Sequence, residues 1–146
     1  MSLVPGGERL RVVLDTNIYI SAFQFPNGRN AVLWRAARRG RYQLLVSPPI
    51  IRELANVLRT DFEWEDESVR KVIRLVAEVA GRGVIAPRVL IDAVSKDSDD
   101  NRILECAAEG GADLIVSNDH HLLELKMWNQ IPIIAGVDFR RTLGLK

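Results

Sequence analysis

Two aspartates follow short apolar runs of the kind that form buried strands. Asp15 comes directly after Arg11–Leu14, and Asp119 comes two residues after Leu114–Ser117. Ligands of open α/β sheets bind outside the carboxyl ends of the strands, so carboxylates at these positions are candidates for an active site. An aspartate after a strand is also a common turn or helix N-cap residue, which gives each one alone a simpler structural interpretation.

A third acid is placed by helical phase, at about 100° per residue. Glu53 projects between Ile50 and Val57, at the border of the apolar face of its predicted helix. Its carboxylate is expected along the seam between helix and sheet. The simpler interpretation is a glutamate that extends toward water or pairs with an arginine.

The fourth acid, Asp100, falls in line with Ile103 and Leu104, so it should face the interior of the protein. Asp97 and Asp99 fit an N-cap and a first-turn acid that the helix dipole favours. Asp99 is turned about 100° from Asp100, which suits an outer supporting role. Neither role explains an acid in line with the core. A carboxylate buried there requires a compensating partner.

Four carboxylates from four segments are thus predicted at one edge of the sheet. Two like charges about 4 Å apart repel by about 4 kcal/mol at an effective dielectric of 20. Protons or divalent cations must therefore neutralise the group. Oxygen ligands without histidine or cysteine suit Mg²⁺ or Mn²⁺. Two such ions about 4 Å apart are the geometry that clamps an in-line phosphoryl displacement.

The elements that must position these acids alternate between short apolar strands and amphipathic helices. This alternation predicts an α/β fold with a central, mostly parallel sheet flanked by α-helices. The predicted strands are Arg11–Leu14, Gln43–Val46, Leu114–Ser117 and Ile131–Ala135, with Val84–Ala86 and Val89–Ile91 extended. The predicted helices are Asn30–Arg39, Pro48–Arg59, Glu67–Ala80, Asp99–Glu109 and His120–Met127.

The length of 146 residues fits one domain, which we place at residues 10–146 after a flexible lead-in at 1–9. With 47% hydrophobic and 27% charged residues, the composition is globular and excludes a disordered tail or a disulfide scaffold. No apolar run is long enough for a membrane span. The single cysteine, Cys106, favours a cytoplasmic protein. The net charge of +1 gives no global attraction to nucleic acid.

Four segments together resemble the PIN-domain ribonucleases, and in particular the toxin components of toxin–antitoxin pairs. They are LDTN at Leu14–Asn17, SPPIIREL from Ser47, DSDDNRILECA at Asp97–Ala107, and ADLIVSNDHHL at Ala112–Leu122. The resemblance extends from about Arg11 to Phe139. Relatives often have a proline where this chain has Ser98, a departure that leaves all four carboxylates intact.

The resemblance implies a three-layer α/β/α fold and Mg²⁺- or Mn²⁺-dependent cleavage of single-stranded RNA. It implies that catalysis and metal binding belong to Asp15, Glu53, Asp100 and Asp119. It also implies supporting positions at Asn17, Ser117 and Asn118. It also implies a small antitoxin protein as a partner, while homo-oligomerisation stays open.

Arg35, Arg38 and Arg39 project to one side of their predicted helix, and we call them the arginine face. They could bind the phosphates of RNA. Basic residues in a last helical turn also simply complement the helix dipole. The neighbouring Trp34 could stack on a base or pack in the core.

The leading hypothesis is an endoribonuclease in which a metal-activated water attacks the phosphodiester. The alternative is a non-catalytic PIN-like module that binds RNA or a protein. Asp119-His120-His121 also spells the DHH triplet of another phosphoesterase family, but that family needs further Asp/His motifs that the chain lacks. The histidines are therefore expected to open a surface helix.

Overall fold

A five-stranded sheet forms the centre of the protein in the computed structural model, which describes residues 9–86 and 98–145, and only the backbone of Ser98 and Asp99. The strands follow the spatial order β2-β1-β3-β5-β4. All neighbours pair in parallel except β4 and β5, which are antiparallel. Their bounds are β1 Arg11–Leu14, β2 Gln43–Leu45, β3 Leu114–Val116, β4 Met127–Trp128 and β5 Ile131–Ile134.

Helices flank this sheet, so the predicted α/β architecture with a mostly parallel sheet is confirmed. The helices are α1 Thr16–Gln24, α2 Arg29–Arg38, α3 Pro48–Thr60, α4 Asp66–Ala80, α5 Ser98–Gly110, α6 His120–Leu125 and α7 Gly136–Thr142. Within the described residues, no helix combines the length and the apolar character that a membrane span requires.

The first strand lies between β2 and β3 and is the most enclosed. Val12 pairs with Leu44 on one side and with Leu114 on the other. Val12, Val13 and Leu14 are fully buried. A strand covered on both faces reads as a continuous apolar run, which explains why RVVL was recognisable in the sequence.

Helix α3 begins where the sequence predicts. The Ser47 hydroxyl accepts a hydrogen bond from the Ile50 amide at 3.4 Å, and Pro48 and Pro49 occupy the first turn. Proline suits this position because the first helical amides have no intrahelical acceptor. Ile50, Leu54 and Leu58 form the buried stripe, which leaves Glu53 half-buried at its border, as the helical phase predicts.

Two helices were absent from the sequence-based prediction. Helix α1 is rich in β-branched and aromatic residues, which have weak intrinsic helix propensity. It forms nonetheless because Ile18, Tyr19 and Ala22 pack into the core. Helix α7 is a short C-terminal element that packs through Phe139.

The predicted helix His120–Met127 is too long, since α6 ends at Leu125. Lys126 has a φ of 60°, and the chain then enters β4. Asn129 and Gln130 both have positive φ, as a two-residue turn of type I′ requires between antiparallel strands. The turn joins β4 to β5 and adds an antiparallel edge to the sheet.

The remaining predictions concern short or peripheral segments. Val84 forms an isolated parallel bridge with Val46, in agreement with the extended segment Val84–Ala86. The extended segment Val89–Ile91 lies outside the described residues. The lead-in at 1–9 also lies outside them, apart from Arg9, so the domain division stays a prediction.

Candidate metal centre

Asp15 stands where β1 ends, at what we call the carboxyl edge, the end of the sheet where the parallel strands finish. Its amide donates to the Val116 carbonyl at 2.9 Å, which ties it to the end of β3. The residue is only 5% exposed. Although Asp15 is the N-cap of α1, its carboxylate makes no capping hydrogen bond. A side-chain capping bond therefore does not explain this acid, although the nearby Thr16 and Asn17 amides favour its charged form.

Ser117 joins the ends of β1 and β3 through its side chain. Its hydroxyl donates to Asp15 Oδ2 at 2.6 Å and accepts from the Asp119 amide at 2.9 Å. Ser117 is fully buried. One hydroxyl thus orients the first acid and fixes the backbone of another.

Asp119 is the N-cap of α6. Its Oδ1 accepts a hydrogen bond from the His121 amide at 2.7 Å. The cap interpretation of this residue is therefore correct for one of its oxygens. Asp119 is half-buried, so it forms the solvent-facing side of the site.

Asp100 brings the third carboxylate from the first turns of α5. It is 3% exposed, which agrees with its alignment with the buried Ile103 and Leu104. One carboxylate oxygen from each of Asp15, Asp100 and Asp119 lies within 4.8 Å of the other two. We call these three residues the acidic cluster. Oxygen ligands this close together could hold a metal ion.

Glu53 lies beside the acidic cluster but is not one of its three members. Its Oε2 accepts a hydrogen bond from the Thr16 hydroxyl at 3.1 Å. Thr16 directly follows Asp15 in the chain, so Glu53 is held close to the same edge of the sheet. This role of Thr16 is not among the predicted ones, although its position in the LDTN segment is a usable signal.

Burial raises the pKa of Asp15 above its ordinary value, and the negative charge of Asp119 raises it further. The Ser117 hydroxyl and the nearby amides of Thr16 and Asn17 act in the opposite direction and lower it. Burial is the largest of these effects, so the ionised carboxylate is disfavoured. A bound cation would remove this cost.

The other predicted supporting residues differ in whether the structure connects them to the site. The Asn118 side-chain oxygen accepts a hydrogen bond from the Gly136 amide at 3.0 Å, which links the ends of β3 and β5. Asn17 is exposed. Asp97 and the side chain of Asp99 lie outside the described residues.

His120 and His121 begin a surface helix, as expected. His120 is exposed and His121 half-buried, and their ring centroids are 4.0 Å apart. With Asp119 they form a second group whose ligand atoms lie within 4.8 Å of one another. Cys106 is fully buried, and burial raises the pKa of its thiol to about 12, which makes it unreactive.

The arginine face lies at the end of α2, where Arg39 is the C-cap residue, and all three side chains are exposed. Trp34 is only 6% exposed and makes edge contacts with Tyr19 and Phe23. Of the two interpretations of this tryptophan, packing is therefore the correct one.

Comparison with known proteins agrees with this geometry. Residues 11–121 match the family described as PIN domain. An uncharacterized protein of Methanocaldococcus jannaschii is 25% identical over 133 residues, which cover 90% of this chain and 85% of the relative. PIN domains are generally nucleases and typically use divalent metals. The family match spans well over half of the sequence, and the chain therefore belongs to the PIN domain family.

Proposed function

We propose that the protein is a Mg²⁺- or Mn²⁺-dependent endoribonuclease that cleaves single-stranded RNA. The observation that carries this proposal is the acidic cluster, in which Asp15, Asp100 and Asp119 approach within 4.8 Å at the carboxyl edge. Membership of a family of nucleases supports the hydrolase class.

The donor set suits a hard divalent cation. All three groups of the acidic cluster are carboxylates, and two of them are buried. Hard cations such as Mg²⁺ and Mn²⁺ prefer oxygen ligands. Asp15, Asp100 and Asp119 would hold the ion, and Glu53 would complete the site from its position beside Thr16.

When bound, the metal would activate a water for in-line attack on the phosphodiester and stabilise the developing negative charge. The residues of this chain supply the orientation. Ser117 fixes one oxygen of Asp15, and the α6 amide of His121 fixes one oxygen of Asp119. Carboxylates held in this way lose little rotational freedom when a ligand arrives, which favours tight and specific binding.

We further propose that the protein is the cytoplasmic toxin of a toxin–antitoxin pair. The resemblance of its four segments to such toxins supports this role. An active ribonuclease endangers its own cell, so a small antitoxin protein that covers the carboxyl edge is the expected partner.

Cleavage of mixed RNAs tests the proposal. Wild-type protein should cleave with Mg²⁺ or Mn²⁺ and be inactive in EDTA. Asp100→Asn should lower the rate by about 100-fold or more, because a charged ligand is lost from the site. The matched control is Asp61→Asn, which changes an exposed aspartate at the end of α3 and should leave the rate unchanged.

Melting curves should show that both variants remain folded at the assay temperature. Full activity in EDTA, or equal rates for Asp100→Asn and Asp61→Asn, would overturn the proposed site. RNA binding without cleavage under every metal condition would favour the non-catalytic binding module instead.

A further inference from the structure

A groove lies between α1, α2 and α4, and its described lining residues do not include any member of the acidic cluster. Its volume is about 280 Å³, and its walls include Phe23, Trp34 and Leu75. Arg35 and Arg38 stand at its margin. The groove thus combines an apolar, partly aromatic wall with cationic groups at its rim.

The same two arginines also line a second cavity, together with Arg39. This cavity has a volume of about 320 Å³, and the described residues that line it are the three of the arginine face. Among the residues that the structure describes, no carboxylate pairs with any of these three guanidinium groups. Arg35 is held in place by a 2.9 Å hydrogen bond to the Pro26 carbonyl. Three cationic groups therefore converge on one cavity, and no carboxylate of the described residues neutralises them.

Helix α2 connects this region to the carboxyl edge. At its start, Asn30 lies beside Gly136 and Asn118, because a Cβ on Gly136 would come within 3.2 Å of the Asn30 side-chain oxygen. After α2 the chain enters the start of β2, at the end of the sheet opposite the carboxyl edge. A rise of 1.5 Å per residue places Arg39 about 13 Å along the helix axis from Asn30.

The geometry points to a nucleotide-binding subsite for single-stranded RNA at the arginine face, separate from the acidic cluster. The phosphates would occupy the cavity lined by Arg35, Arg38 and Arg39, and a base would enter the adjoining apolar groove. Arginine suits this role because its planar guanidinium donates paired hydrogen bonds to phosphate oxygens. The half-buried Phe23 and Leu75 offer an apolar surface for a base beside those charges, which a site for carboxylates alone does not need.

This inference rests on the proposed function, since it assigns a path to the RNA substrate. An RNA strand bound at the acidic cluster would reach the arginine face by running along α2. Short RNAs cannot occupy both places, so substrate length should affect binding.

The test measures binding of fluorescently labelled oligouridylate to the full-length chain in EDTA, on an Asp100→Asn background that prevents cleavage. The double variant Arg38→Gln/Arg39→Gln should weaken binding of a long oligomer by about tenfold at low salt. The slope of log affinity against log salt concentration, the salt slope, should shrink by about 0.7 per lost contact. A uridine dinucleotide should show a smaller effect. Arg35→Gln provides an independent variant at the third residue that lines the cavity.

Arg70→Gln is the matched control, since Arg70 is exposed on α4 beside Glu67. It should leave the affinity and the salt slope unchanged. Unchanged salt slopes in the arginine-face variants would overturn the inference, and so would arginine-dependent binding of polyglutamate without RNA binding. Failure of the proposed function is a separate result, because it appears as absent cleavage by the wild type.

Discussion

Ser117 sets the geometry of the acidic cluster at the level of single residues. Its hydroxyl donates to Asp15 and accepts from the Asp119 amide, so both of its hydrogen-bonding capacities are used within the site. Burial disfavours the charge that Asp15 must carry to bind a cation. The same burial excludes water that would compete for the ion and screen its charge.

Replacing Asp15 by Asn should raise the melting temperature of the metal-free protein at pH 7. The folded-state pKa of Asp15 is raised, so its ionisation destabilises the fold as the pH rises above the ordinary value near 3.8. Asn avoids this cost, and we expect a gain of about 2–4 °C. The gain should disappear as the pH falls toward 4, where the wild-type carboxyl is protonated.

Melting curves in EDTA between pH 4 and pH 7.5 measure this effect. Added Mg²⁺ should stabilise the wild type more than Asp15→Asn, because binding to the folded state shifts the unfolding equilibrium by mass action. Asp61→Asn again serves as the exposed control. A gain that is independent of pH, or equal Mg²⁺ shifts in the two proteins, would contradict the assignment of Asp15 to the acidic cluster.

At the scale of elements, the 3-10 turn Gly81–Gly83 joins α4 to the strand-like segment beside β2. The Val46 amide donates to the Gly83 carbonyl at 2.9 Å. A Cβ at Gly83 would lie only 2.0 Å from the Leu44 backbone oxygen. Only glycine allows this close approach. The contact fixes the position of β2, the outermost strand, and the helix α3 that carries Glu53 follows directly after it.

Gly83→Ala should therefore be strongly destabilising, by about 3 kcal/mol, because backbone atoms must move apart. Gly111→Ala is a matched comparison. Gly111 has a φ of 62° and nothing within 4 Å of an added Cβ, so only the left-handed backbone is penalised. That cost is about 1 kcal/mol. Urea unfolding of both variants measures the difference, and equal losses would show that the contact with β2 is not constraining.

For the whole molecule, opposite charges occupy different regions although the net charge is only +1. Carboxylates gather at the carboxyl edge, and the arginine face stands toward the other end of α2. This separation allows a site for cations and a site for phosphates to coexist without neutralising each other. A balanced net charge therefore gives no indication against RNA as a substrate.

Expression of this chain alone should slow the growth of its host, since the proposed ribonuclease would act without its antitoxin. The Asp100→Asn form, expressed to the same level, should not slow growth. Growth curves with immunoblots of both forms provide the measurement. Identical growth would argue against the toxin role and leave the nuclease chemistry to be judged by the cleavage assay.

The local sequence was sufficient to predict the strands β1, β2, β3 and β5 and the position of Asp15 directly after the first of them. It also predicted the inward direction of Asp100, because helical phase depends only on residues within a few turns. Each of these predictions rests on a strong apolar pattern or a strong cap, such as Ser47 before its two prolines.

Tertiary structure alone decided the features that depend on distant partners. Helix α1 has weak intrinsic propensity and forms because it is buried. The bond from Ser117 to Asp15 spans 102 residues of sequence, and the one from Thr16 to Glu53 spans 37. The direction of α2 likewise places the arginine face away from the acidic cluster. Such contacts are fixed by strand order and helix direction, which no local pattern encodes.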